Sequence, residues 1–130
     1  MSQRVLIIDD DEDTIALLST VRVKAGYEVR GAKEILSGFD EARRFAPSVM
    51  IIDLLFPGGN ALGLLKQIKD DHNLQRVPII VLSAAGDVDG KEMVRQYGAA
   101  AYLSKPIRAQ DVVAEIRRQL NPGAHATHVI

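Results

Sequence analysis

Three runs of apolar residues, Val5–Ile8, Val49–Ile52 and Ile79–Leu82, contain no polar interruption, and each runs straight into an oxygen-bearing side chain: Asp9, Asp53 and Ser83. Continuous apolarity over strand length, without alternation, predicts burial on both faces, as in the centre of a parallel sheet. Segments of helical spacing separate these runs. Ile15, Leu18, Val21 and Ala25 follow the first, with Gly26 as a stop. Ile35, Phe39, Ala42 and Phe45 precede the second, and Pro47 ends that helix. After a Pro57-Gly58-Gly59 turn, Asn60 is the expected cap of a helix carrying Leu64, Leu65 and Ile68. Asp70–Arg76 reads as a loop. A weaker helix spans Val88–Tyr97, with Met93, Val94 and Tyr97, and closes at Gly98. The last spans Arg108–Leu120 and turns Val112, Val113, Ile116 and Leu120 inward, before Asn121-Pro122-Gly123.

Two further strands complete the alternation. Tyr27-Glu28-Val29-Arg30 alternates apolar and polar, which belongs at a sheet edge, and Ala99–Leu103 forms a short strand leading into Ser104-Lys105-Pro106. Strands joined through helices are parallel, with right-handed crossovers. An order of 2-1-3-4-5 puts the buried runs in the middle and the alternating strand at the edge. The winding direction then reverses between strands one and three, where α/β sheets place their sites. Asp9, Asp10 and Asp53 converge there, with Ser83 and Lys105 on the same rim.

The 130 residues suit one domain, at 47% apolar, 25% charged and net charge −1. That balance gives no argument for direct binding to nucleic acid or an anionic membrane. The absence of cysteine excludes disulfides, thiol catalysis and thiolate metal sites. Met1-Ser2-Gln3-Arg4 leads at once into a short apolar run and then acids, too little for a signal peptide or membrane span, so a cytoplasmic location is expected.

Three carboxylates in one small pocket repel each other, and a divalent cation resolves the conflict. All-oxygen ligands point to Mg²⁺ or Mn²⁺ rather than zinc. Asp53 is then read as a nucleophile that takes a phosphoryl group, with Lys105 as a mobile cation for a phosphoryl oxygen and Ser83 as a hydroxyl donor. Ala84 leaves room for the incoming group. Asp11, Glu12 and Asp13 are read as first-turn acids that face solvent. His72, His125 and His128 are scattered and receive no role, and Arg117-Arg118 is a solvated helix face.

Ile7-Ile8-Asp9-Asp10, Ile51-Ile52-Asp53-Leu54, Pro57-Gly58, Val81-Leu82-Ser83-Ala84 and Tyr102-Leu103-Ser104-Lys105-Pro106 stand in the order and spacing of a known family. The chain resembles a CheY-like receiver domain of a two-component response regulator over about residues 4–120. The resemblance implies a flavodoxin-like (βα)5 fold over residues 1–121, with 122–130 as a tail or the start of a linker. It implies Asp53 as phosphoacceptor, Asp10 as direct metal ligand, Asp9 as a second acid often acting through water, and the Leu55 carbonyl as a further ligand. Ser83 matches the switch hydroxyl, Lys105 the family's cation, and Tyr102 the switch aromatic, although Tyr102 reads equally as a core aromatic. The implied donor is a sensor histidine kinase or a phosphotransfer protein, with small acyl phosphates as substitutes. The implied output is a separate protein or a fused effector, addressed through the face formed by the last two helices and last strand. The only catalysis implied is self-modification, so the chain is not expected to be a turnover enzyme.

The chain departs from the family at Asn60-Ala61, at Asp13-Thr14 and at Ala100-Ala101. The last speaks against one particular phosphorylation-dependent homodimer. Leu55, two residues past Asp53, cannot orient a water, which predicts a long-lived phosphorylated form. Three other functions compete. A pseudo-receiver would use the same fold as a phosphorylation-independent binding module. A haloacid-dehalogenase-type phosphatase needs Thr or Val where Asp13 stands, and there is no chain for a cap domain. A flavin-phosphate site fails because three carboxylates would repel the phosphate.

Overall fold

The computed structural model describes residues 3–56, 59–84 and 86–121, without the side chains of Leu18, Lys24, Asn60, Val88, Asp89, Met93 and Val94. The Pro57-Gly58 turn, Ala85, the 122–130 tail with His125 and His128, and the packing expected of Leu18, Met93 and Val94 therefore lie outside the described residues.

Five strands, β1 (Arg4–Ile8), β2 (Glu28–Ala32), β3 (Val49–Asp53), β4 (Ile79–Ser83) and β5 (Ala101–Ser104), form one sheet in the order β2-β1-β3-β4-β5. Every neighbouring pair is parallel. The helices are α1 (Glu12–Ala25), α2 (Ile35–Phe45), α3 (Leu62–Asp70), α4 (Val88–Gln96) and α5 (Ala109–Leu120). This is the doubly wound (βα)5 architecture with the expected strand order.

The alternation of side chains along each strand divides the core into two layers. Leu6, Ile8, Met50, Ile52, Ile79 and Val81 face α2 and α3, where they meet Ala42, Phe45, Leu64, Leu65 and Ile68. Val5, Ile7, Val49, Ile51, Ile80 and Leu82 face α1 and α5, where they meet Val21, Val112, Val113 and Ile116. Right-handed crossovers account for the division, because the chain reverses direction after β2 and the next helices cross the other face. Burying each large apolar side chain stabilises the fold by about 1.5–3 kcal/mol.

Local signals set most boundaries. Asp11 caps α1 by accepting the Asp13 N–H at 2.9 Å, and Gly26 ends it in the left-handed region at φ 72°. α2 ends at Phe45, and Ala46 adopts φ 52° before Pro47. Three expectations are corrected. Asn60 is not the cap of α3: it pairs with Leu55 in a two-residue antiparallel ribbon, Leu55–Phe56 with Gly59–Asn60. Ala61 is the N-cap and, with a methyl side chain, makes no side-chain cap bond; its N–H donates to the Leu54 carbonyl at 2.8 Å. In α1, Leu17 rather than Ile15 joins the core layer. β5 begins at Ala101 and extends through Ser104, because its register is set by β4.

Candidate active site at the carboxyl edge of the sheet

Strand register assembles the site. Ile8 stands opposite Ile52, so Asp9 and Asp53 leave the sheet at the same level. Asp53 stands opposite Leu82, and Ser83 opposite Ser104, so Ser83 and Lys105 emerge just beyond. Asp9, Asp10 and Asp53 each offer a carboxylate oxygen, and these oxygens all lie within 4.8 Å of one another. Asp9 and Asp53 are buried, and Asp10 is exposed.

Lys105 is the counter-charge. Its Nζ donates hydrogen bonds to Asp53 Oδ2 at 3.3 Å and Asp11 Oδ2 at 3.2 Å. It also lies 3.2 Å from Asp9 Oδ2 as an ion pair, without hydrogen-bond alignment, so that this buried oxygen accepts no hydrogen bond. Asp9 Oδ1 accepts the Asp11 N–H at 2.8 Å, and Asp53 Oδ1 accepts the Leu55 N–H at 3.4 Å. Burial, and then the charge of Asp9, push the Asp53 carboxyl up to about 6 against the opposing pull of Lys105. Burial alone would lower the Lys105 ammonium, but Asp9 and Asp53 more than offset it, and its pKa is raised. The backbone N–H of Asp13, and then Lys105, hold Asp11 below the usual carboxylate range.

These groups fit a hard divalent cation. The Lys105 ammonium pairs with three carboxylates while Asp10 adds a fourth to the cluster, the donors are all oxygen, and Asp9 Oδ2 is a buried acceptor with no hydrogen bond. The cleft above Asp53 measures about 660 Å³, is lined by Asp11, Thr14, Leu55, Ala84 and Lys105, and leaves the carboxylate open to an approaching group.

Sequence reasoning missed two partners. Asp11 does not simply face solvent: it caps α1 through Oδ1 and binds Lys105 through Oδ2. Asp87 received no role, yet its Oδ2 accepts the Ser83 hydroxyl at 2.9 Å and its main-chain carbonyl accepts the Tyr102 hydroxyl at 3.0 Å. Only a signal for the cap was available, an Asp three residues before Gly90. Tyr102 is half-buried at the edge of the core, with Lys91 6.0 Å from the centre of its ring.

The chain matches the family described as response regulator receiver domain over residues 5–117. It belongs to that family. Among curated relatives of this receiver domain is the polar-differentiation response regulator DivK of Brucella ovis. It is 31% identical over 120 residues, covering 92% of this chain and 98% of its own. A response regulator from Chloroflexus aurantiacus J-10-fl superposes with TM-score 0.85 at 32% identity, covering 92% of this chain and 98% of that one. The receiver domain of the sensor histidine kinase PA1611 from Pseudomonas aeruginosa PAO1 has a magnesium ion coordinated in its active-site cleft. It shares the receiver fold at TM-score 0.82 and 22% identity, over 93% of this chain and 99% of its own. No helix of the described residues is long and apolar enough to cross a membrane.

Proposed function

We propose that this receiver accepts a phosphoryl group on Asp53 in a Mg²⁺- or Mn²⁺-dependent reaction, and that the modified form presents a changed surface at α4, β5 and α5 to an output partner. One observation carries this reading. Asp53, buried at the end of β3, shares a space of 4.8 Å with Asp9 and Asp10 while Lys105 hydrogen-bonds its outer oxygen. A carboxylate so placed is desolvated, aligned and provided with a cation.

Asp10 would hold the metal directly, Asp9 through water, and Asp53 and the Leu55 carbonyl would complete the protein ligands. A bound divalent cation neutralises charge on the phosphoryl oxygens as it transfers. An Asp53 oxygen forms the new bond to phosphorus, while the bond from phosphorus to the donor breaks. Its electron pair leaves on the donor, an imidazole nitrogen of a kinase or phosphotransfer protein, or an acyl oxygen. Lys105 exchanges the Asp53 oxygen for a phosphoryl oxygen, and Ser83 donates its hydroxyl to another. The phosphoryl group, carrying a charge of about −1.5 to −2, draws the loops bearing both residues inward. The chain modifies itself and turns over no other substrate. Residues 1–121 constitute the receiver, residues 122–130 a tail or the start of a linker, and the setting is cytoplasmic.

Incubation with labelled acetyl phosphate and Mg²⁺ tests this. Label should appear on the wild type, and disappear in Asp53→Asn or with EDTA. No label, even with a range of kinases, would mean that the fold serves as a phosphorylation-independent binding module. Steady release of phosphate from many substrates would mean a phosphatase.

A further inference from the structure

We propose that Asp87 is a positioning residue that holds Ser83 in the unphosphorylated arrangement and so sets how readily the switch is thrown. This rests on the reading of Asp53 and Ser83 given above. Ser83 ends β4 fully buried, and its hydroxyl donates to Asp87 Oδ2 at 2.9 Å. A serine hydroxyl has one proton and serves one acceptor at a time. It cannot donate to Asp87 and to a phosphoryl oxygen together. Because Asp87 is a carboxylate, the bond that must break is charge-assisted and stronger than one to a neutral acceptor.

The rest of Asp87 is held as firmly. Its Oδ1 accepts the Gly90 N–H at 2.9 Å in the first turn of α4, and its main-chain carbonyl accepts the Tyr102 hydroxyl at 3.0 Å. One residue thereby ties the hydroxyl of β4, the start of α4 and the aromatic of β5. Glycine at position 90 makes the space: a Cβ there would come under 3.0 Å from all three carboxyl atoms of Asp87. When Ser83 turns to the phosphoryl group, the Asp87 carboxylate loses its hydroxyl donor, which raises the energy of the switched state.

The test measures the affinity of the whole chain for beryllofluoride, a phosphoryl mimic, with saturating Mg²⁺, by titration of backbone amide resonances. Asp87→Ala should bind about tenfold more tightly, the size expected when one charge-assisted hydrogen bond is removed from the competing state. Gly90→Ala, which displaces the same carboxylate while favouring helix, should shift affinity the same way, and carries the test if Asp87→Ala fails to fold. Asp87→Ser, whose short hydroxyl can still cap α4 but cannot reach Ser83, should keep the gain. In a Ser83→Ala background the gain from Asp87→Ala should vanish, which loss of a helix cap alone would not produce. Unchanged affinity in the folded variants overturns the proposal, as does a gain that survives Ser83→Ala, or Asp87→Ser behaving as wild type. A wild type that neither binds beryllofluoride nor takes label from acetyl phosphate overturns the reading of Asp53 itself, and this proposal with it.

Discussion

Asp53 is placed where its own charge is unwelcome. It is 5% exposed, next to Asp9, and its carboxyl is pushed up to about 6 from the ordinary 3.8. A carboxyl raised on folding contributes stability that is fully present below its unfolded pKa and is lost as pH rises through the folded value. Without metal, this group should therefore destabilise the fold by about 1 kcal/mol between pH 5 and pH 7.5. Thermal melts in EDTA check this, and Asp53→Asn should remove that part of the slope. The proton also competes with a cation, so Mg²⁺ affinity should weaken as pH falls through about 6. Leu55, half-exposed beside the carboxylate, offers a water no hydrogen bond from its side chain. Leu55→Asn should speed loss of label from Asp53 several-fold, and equal decay of the two proteins would remove Leu55 as the cause of a long lifetime. At this scale Asp9, Asp53 and Ser83 were legible because each ends a run of apolar residues. Asp11 and Asp87 were not, because their second partners, Lys105 and Tyr102, are distant in sequence and meet them only through folding.

Elements were legible wherever a boundary is a property of adjacent residues. Gly26 ends α1, and the apolar stripe of α2 covers Ile35–Phe45 as read. The start of α3 was misplaced because a ribbon to Leu55, which no local pattern announces, takes Asn60 away from the cap position. The end of α2 carries a cost that can be measured. Ala46 sits at φ 52°, where an L residue loses about 1–2 kcal/mol. Ala46→Gly removes this strain but adds unfolded-chain entropy, so a net gain of about 0.5 kcal/mol is expected in denaturant melts. Gly38 has the opposite reason to be glycine. A Cβ there would lie 3.0 Å from Ile8 Cδ1 and 3.4 Å from Leu64 Cδ2. Gly38→Leu should cost about 1–3 kcal/mol, read as a fall in unfolding midpoint with unchanged slope.

Over the whole molecule, the site couples to stability through whatever occupies it. A cation that binds the folded chain alone stabilises it by about 2.7 kcal/mol at a hundred times its dissociation constant. Mg²⁺ should thus raise the melting temperature at pH 7.5, and do so far less at pH 5 or in Asp53→Asn. Equal effects in all three would place the ion elsewhere. Phosphorylation should move amide resonances of residues 83–105 more than those of α1 and α2, because the Ser83, Asp87 and Tyr102 bonds link the site to that side of the sheet.

The class of fold and the strand order could be read along the chain, because uninterrupted apolar runs alternating with helical stripes admit few arrangements, and the family followed from its resemblance in the short motifs at the strand ends. The same runs also nominated the carboxylates, since a charged residue at the end of a buried strand has nowhere to go but the sheet edge. How the charges share partners became visible in the folded chain alone. Lys105 divides itself among Asp9, Asp11 and Asp53, one Asp9 oxygen is left without a hydrogen bond, and Asp87 accepts a hydrogen bond from the Ser83 hydroxyl. Periodicity reports which face a residue occupies. Hydrogen bonds between loops depend on ångström-scale distances fixed by the register of β3, β4 and β5, and no spacing along the chain encodes those.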